Sequence, residues 1–92
     1  MIKIELKFDK LITSLAGHSF GKSEFDKQIK EIEYGETYEI IFPTQIKLIA
    51  TSFIQGFFSR FVEEFGLEGL VNNVEIKSSI DNIKNYVVDC LI

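Results

Sequence analysis

A phenylalanine-rich stretch, residues 49–66, constrains the fold more than any other part of the chain. Its apolar residues recur every three or four positions, which is the spacing of an α-helix with one buried face. Thr51 or Ser52 stands where an N-cap is expected, and Gly66 where a helix commonly ends. The sequence therefore predicts one amphipathic helix in this stretch. Its apolar positions are Ala50, Phe53, Ile54, Phe57, Phe58, Phe61, Val62 and Phe65.

Strands are predicted on both sides of this helix. Ile2 to Phe8 alternates apolar and charged residues, which is typical of a strand with one face in the core. We expect a weaker strand at Leu11 to Leu15 and a central strand at Thr37 to Phe42, which Pro43 ends because proline has no backbone N–H. A short strand is expected at Val74 to Lys77.

Two further helices complete the predicted elements. The first follows a predicted loop, His18 to Phe20, is capped by Ser23 and ends at Gly35. The last begins at an N-cap, either Ser78 or Ser79. Their apolar stripes hold Phe25, Ile29 and Ile32 in the first helix and Ile80, Ile83, Val87 and Leu91 in the last.

This order of elements predicts a single α/β domain over residues 1–92, because a chain of this length has no room for a second core. Strands that alternate with helices imply parallel neighbours in a sheet. We expect a small sandwich in which about four strands form one mixed sheet and about three helices lie mainly on one of its faces.

Composition narrows the classes of partner. The net charge is −4 and no Lys or Arg cluster is interleaved with aromatic residues, which argues against nucleic acid. Cys90 is the single cysteine, so no internal disulfide can form, as is usual in a reducing cytosol. No apolar run approaches the ~20 residues that cross a bilayer. We therefore expect a cytoplasmic protein with no contact to membranes or nucleic acid.

Three segments resemble the STAS-like domain family, small prokaryotic proteins of unknown function related to the domain of sulfate transporters and anti-sigma-factor antagonists. These are Phe20 to Phe25 at the first helix, Ala50 to Phe53 at the start of the aromatic helix, and Phe65 to Glu68 at its end. The resemblance covers roughly residues 2–80. It implies a STAS-like fold and a non-enzymatic regulatory module that acts by protein–protein interaction.

In anti-sigma-factor antagonists, a hydroxyl at the start of the corresponding helix is phosphorylated by a partner kinase of the histidine-kinase-like ATPase type. By position, Thr51 resembles that phosphosite and Ser52 is its neighbour. The resemblance therefore implies an ATPase partner and a contact surface that includes Thr51, Ser52, Gln55 and Ser59, with Arg60 beside them. A phosphate at a helix N-terminus is favoured by the helix dipole and repels an acidic partner. Helix capping also explains the two hydroxyl residues, so both interpretations stand.

The phenylalanines raise a second question. Phe53, Phe57 and Phe61 are expected in the core, packed on the sheet. Five phenylalanines in one helix of a small domain can exceed what one face hides. We therefore leave open whether Phe58 or Phe65 lies at a protein-binding surface.

An alternative function comes from Ala16 to Ser23, which fits the loose form of a phosphate-binding loop. In such a loop, backbone N–H groups surround the phosphates, the lysine reaches the outer ones and the serine holds Mg²⁺. Gly21, Lys22 and Ser23 would then belong to a small nucleotide-binding protein. Phe42 and Pro43 argue against it, because an acidic residue that could lie near the metal is expected after the central strand.

No group of residues predicts catalysis. His18 is the only histidine, and one histidine with one cysteine gives no spacing typical of a metal site. No nucleophile, base and orienting acid can be assembled from the hydroxyl residues and His18. We expect no catalytic residues, no metal, no cofactor and no enzymatic activity, while the oligomeric state stays open.

Overall fold

A computed structural model of the chain describes residues 1–33 and 35–92 and shows an α/β fold, which confirms the predicted class. The described elements are, in chain order, β1 (Ile2–Glu5), β2 (Ser14–Leu15), α1 (His18–Gln28), β3 (Tyr38–Ile41), β4 (Leu48–Ile49), α2 (Thr51–Phe57), α3 (Ser59–Asn73), β5 (Val74–Lys77) and α4 (Ile83–Leu91).

These strands form two small parallel sheets, so the prediction of one four-stranded mixed sheet with three helices is wrong. One sheet has the order β1-β3-β5, with β3 in the centre as predicted, and the other pairs β2 with β4. Ile4, Ile40 and Ile76 lie side by side across the three strands of the first sheet. The second sheet stays short because a helix begins directly after Gly17 in one strand connection and after Ala50 in the other.

The larger sheet has one apolar and one charged face. Tyr38, Ile40, Val74 and Ile76 alternate with more exposed residues and are buried in the core. On the opposite face, the carboxylate of Glu39 lies between two lysines, 4.0 Å from Nζ of Lys3 and 3.4 Å from Nζ of Lys77. The two-residue period of each strand thus separates core from solvent, as the sequence of β1 predicted.

Helix α1 begins at His18, so the predicted loop from His18 to Phe20 and the predicted cap at Ser23 are wrong. Gly17, with φ of 105°, allows the chain to turn directly from β2 into the helix. The ring of Phe20 then packs 5.6 Å from that of Phe53 and 6.4 Å from that of Phe8. Burial of this ring makes the earlier start favourable. The helix ends at Gln28, well before the predicted Gly35.

The phenylalanine-rich stretch is helical as predicted, but it forms two helices instead of one. The break lies at Phe58, whose φ of −90° and ψ of 0° depart from helical values. The change of direction leaves the rings of Phe57 and Phe58 both fully buried, 4.9 Å apart. A surface role for Phe58 is therefore wrong, whereas Phe65 is half-buried. Gly66 interrupts α3 with a φ of 74°, but helical turns resume and continue to Asn73.

The end of the chain follows the prediction in part. Strand β5 has the predicted bounds, but α4 follows Asn82 and is capped by neither serine. The Ser79 hydroxyl lies 3.0 Å from the carbonyl oxygen of Ile46 and 3.3 Å from that of Thr44. Ser78 accepts a hydrogen bond from the N–H of Ile80. Both serines therefore stabilise the loop before the helix, a common alternative use of these side chains.

Helices α1 and α2 cross in direct backbone contact. A methyl group at Gly21 would overlap the carbonyl oxygen of Phe53 and lie 2.7 Å from the backbone nitrogen of Phe57. A methyl group at Gly56 would overlap the carbonyl oxygen of His18. Only glycine permits this separation, because any Cβ at either position meets rigid backbone atoms.

We expect Gly21→Ala and Gly56→Ala each to lower the free energy of unfolding by about 2 kcal/mol or more, despite the higher helix propensity of alanine. Urea denaturation followed by circular dichroism would measure the loss. Lys22→Ala is the matched control, because Lys22 is exposed on the same helix and should change stability by less than about 0.5 kcal/mol. Equal stability of the three variants would contradict the crossing.

Candidate functional site

The candidate residues lie where β2 and β4 end side by side. The N–H of Ala50 donates a hydrogen bond of 2.7 Å to the carbonyl oxygen of Leu15, which continues the parallel ladder to the last residue before α2. Parallel strands bring their carboxyl ends to the same edge of a sheet, and in open α/β sheets this edge commonly carries the binding site. Thr51 and Ser52 follow directly.

Ser52 is half-buried and connects the starts of α1 and α2. Its Oγ accepts a hydrogen bond of 2.9 Å from the backbone N–H of Gly17. Neither Ser52 nor Thr51 is the N-cap, because Ala50 occupies that position and makes no side-chain cap bond. The capping prediction is therefore wrong. The Ser52 hydroxyl satisfies a part-buried donor of another segment, 35 residues away.

Thr51 is exposed and lies beside the end of α4. The Cys90 thiol is 3.5 Å from Oγ1 of Thr51, and Nε2 of Gln55 donates a hydrogen bond of 3.1 Å to the carbonyl oxygen of Cys90. We call Thr51, Gln55 and Cys90 the polar rim. The sequence predicted the first two as interaction residues but interpreted Cys90 as a packed side chain. No pattern in the sequence pairs positions 39 residues apart.

Ser59 lies outside the polar rim. It is half-buried, and its hydroxyl donates a hydrogen bond of 2.9 Å to the carbonyl oxygen of Gly56. It lines a surface depression of about 260 Å³ together with Lys22 and Arg60. The guanidinium of Arg60 lies over the ring of Phe25, with Cζ 5.5 Å from the ring centroid. The structure thus brings Ser59 close to the alternative nucleotide residue Lys22 rather than to Thr51.

Gly21, Lys22 and Ser23 all lie inside α1. The backbone N–H of Gly21 donates to the carbonyl oxygen of Gly17 at 3.0 Å, as in the first turn of a helix. A phosphate-binding loop needs such N–H groups free and converging on the phosphates. Residues 21–23 therefore do not form the loop geometry that the motif predicted.

The chemistry available to the site is binding rather than coordination. Within residues 1–33 and 35–92, no group of three or more His, Cys, Asp or Glu side chains is placed to hold a metal ion. None of the helices in these two ranges has the length and apolar character needed to cross a membrane. Comparisons with protein-family models, with curated proteins and with solved structures found no match to the chain.

Ser52→Ala should lower the free energy of unfolding by about 1 kcal/mol, because it leaves the N–H of Gly17 without its acceptor. Thr51→Ala is the neighbouring control and should change stability by no more than about 0.5 kcal/mol, since the Thr51 side chain is exposed. Urea denaturation of both variants would test the difference. A larger loss for Thr51→Ala would contradict the roles assigned here.

The geometry of α1 also predicts the response to nucleotide. We expect millimolar ATP or GTP with Mg²⁺ to leave the thermal midpoint unchanged, because ligand binding to the native state alone would raise it. Differential scanning fluorimetry would measure this. A rise that disappears in Lys22→Ala would instead support the phosphate-binding alternative.

Proposed function

We propose that the chain is a non-enzymatic, cytoplasmic regulatory module of STAS-like type that binds a protein partner, with Thr51 at the centre of the contact. The observation that carries this proposal is the exposed hydroxyl of Thr51 beside the exposed amide of Gln55 on a helix whose opposite face is fully buried. The resemblance of residues 50–53 to the STAS-like family supports the same position.

The two hydroxyls at this position differ in a way that favours Thr51 as the modified residue. Ser52 is half-buried and already accepts a hydrogen bond from Gly17, so a kinase would have to displace a structural contact to reach it. Thr51 is exposed, and its contact with the thiol of Cys90, at 3.5 Å, is a weak one. Phosphorylation of Thr51 therefore costs little folding energy.

The partner we propose is an ATPase of the histidine-kinase type, which transfers the γ-phosphoryl group of ATP to Oγ1 of Thr51 and releases ADP. The phosphate adds about −1.5 to −2 charge at neutral pH. The chain already carries a net charge of −4. The modified surface would repel an acidic partner, so phosphorylation would act as a release signal.

We expect Thr51→Glu to weaken binding to such an ATPase at least about tenfold, because it places a charge at the centre of the contact. Biolayer interferometry with purified ATPases of this type from the same genome would measure the affinity. Asn72→Glu is the matched control, since Asn72 is an exposed neutral residue in the last turn of α3. Equal loss in both variants would indicate general charge repulsion and argue against a contact at Thr51.

Incubation with the same ATPases and ATP, followed by mass spectrometry, would test the modification itself. We expect one phosphate on the segment that contains Thr51, absent in Thr51→Ala and retained in Ser52→Ala. Phosphate on Ser52 alone would contradict the assignment, because the half-buried hydroxyl would then be the accessible one.

A further inference from the structure

Strand β1 is an edge of the larger sheet and carries free backbone groups on its outer side. The N–H groups of Ile2 and Leu6 donate to Thr37 and Ile41, so the even-numbered residues of β1 face β3. In a parallel pair, the residues between them direct both N–H and C=O away from the partner strand. None of the described residues forms a hydrogen bond to the outward groups of Lys3 or Glu5. Such an edge is a template for another strand.

The fold covers this edge at one end only. The side-chain amide of Gln28 occupies both outward groups of Lys7, accepting from its N–H at 2.7 Å and donating to its C=O at 2.9 Å. Nε2 of Gln28 also donates to the buried carboxylate of Glu24 at 2.7 Å, which holds the amide in place. The Gln28 amide thus imitates a paired strand at Lys7, and the free edge ends there.

We propose that the free edge of β1 pairs in antiparallel orientation with β1 of a second copy of this chain, about a two-fold axis at Ile4. This register places Lys3 opposite Glu5 of the partner subunit and Glu5 opposite the partner's Lys3. All outward N–H and C=O groups of these residues then form narrow hydrogen-bonded pairs, as an antiparallel ladder requires. The two sheets join into one, and the contact is independent of the surface at Thr51.

The side chains of β1 match this register on both faces. Lys3 and Glu5 are exposed and of opposite charge, so each meets its complement across the axis. On the other face, the half-buried Ile2 and Ile4 meet Leu6 and Ile4 of the partner, which buries apolar surface that the single chain leaves partly exposed. Pairing in any register shifted by two residues would instead oppose like charges or meet the Gln28 amide.

Charge exchange tests the register directly. In Lys3→Glu and in Glu5→Lys, two pairs of like charges face each other across the axis, and we expect the dimer dissociation constant to rise at least about tenfold. The double variant Lys3→Glu/Glu5→Lys restores opposite pairs and should dimerise like the wild type. An equimolar mixture of the two single variants should form the heterodimer. Sedimentation velocity over a range of concentrations would measure all four.

A proline variant tests the backbone pairing. Glu5→Pro removes an N–H that points away from β3, so the ladder within the chain is kept while the outward donor is lost. We expect this variant to be monomeric with an unchanged far-ultraviolet circular dichroism spectrum. In the wild type, amide hydrogen exchange at Lys3 and Glu5 should slow as protein concentration rises. Any affinity tag should be placed after Ile92 so that β1 stays free.

Two results would overturn the proposal. One is a wild-type chain that stays monomeric at millimolar concentration with fast exchange at Lys3 and Glu5. The other is a dimer whose dissociation constant is unchanged by the single charge variants, which would locate the contact elsewhere. If Glu5→Pro fails to fold, the charge variants and the mixture still decide between these outcomes.

Discussion

The direct backbone contact between α1 and α2 is the constraint on which the rest of the structure depends. With glycine at positions 21 and 56, the two helices approach without intervening side chains. This separation brings the ring of Phe25 to 6.1 Å from that of Phe57 and lets the N–H of Gly17 reach Ser52. The aromatic core and the candidate site are therefore consequences of the same crossing.

The aromatic rings then extend this contact to the sheet. Phe61 lies 5.5 Å from Phe25 on α1 and 5.3 Å from Tyr38 on β3, in both cases edge to face. Edge-to-face pairs at such distances contribute about 0.5–1.5 kcal/mol beyond their buried area. The break at Phe58 allows both neighbouring rings of α2 to join the cluster, so the number of phenylalanines reflects packing and needs no exposed patch.

Elements with a strict period were predictable from the sequence, whereas element ends were not. β5 has its predicted bounds and β1 its predicted alternation, because burial on one face of a strand imposes a two-residue pattern. The predicted caps failed because tertiary contacts decided the use of each hydroxyl. Ser52 bonds to Gly17, and Ser79 lies beside carbonyl groups of the loop before β4. Such bonds join residues more than thirty positions apart, and no local rule identifies them.

The candidate site was predictable to a similar degree. The exposure of Thr51 and Gln55 follows from the amphipathic pattern of α2, since both lie opposite its phenylalanines. The proximity of Cys90, and that of Ser59 to Lys22, required the fold. The Gly-Lys-Ser motif shows the converse case, because a short motif fits the sequence while its residues form helical turns.

Glu39 has a consequence for the behaviour of the protein at high concentration. Parallel sheets are usually covered on both faces, yet the outer face of β1-β3-β5 carries the pairs of this carboxylate with Lys3 and Lys77. Next to Glu39 on the same central strand lies Ile41, one face period away. An aliphatic residue at position 39 would create a continuous greasy strip, and two such sheets would stack back to back. Glu39 therefore acts as a solubility determinant that keeps the uncovered side of the sheet wet.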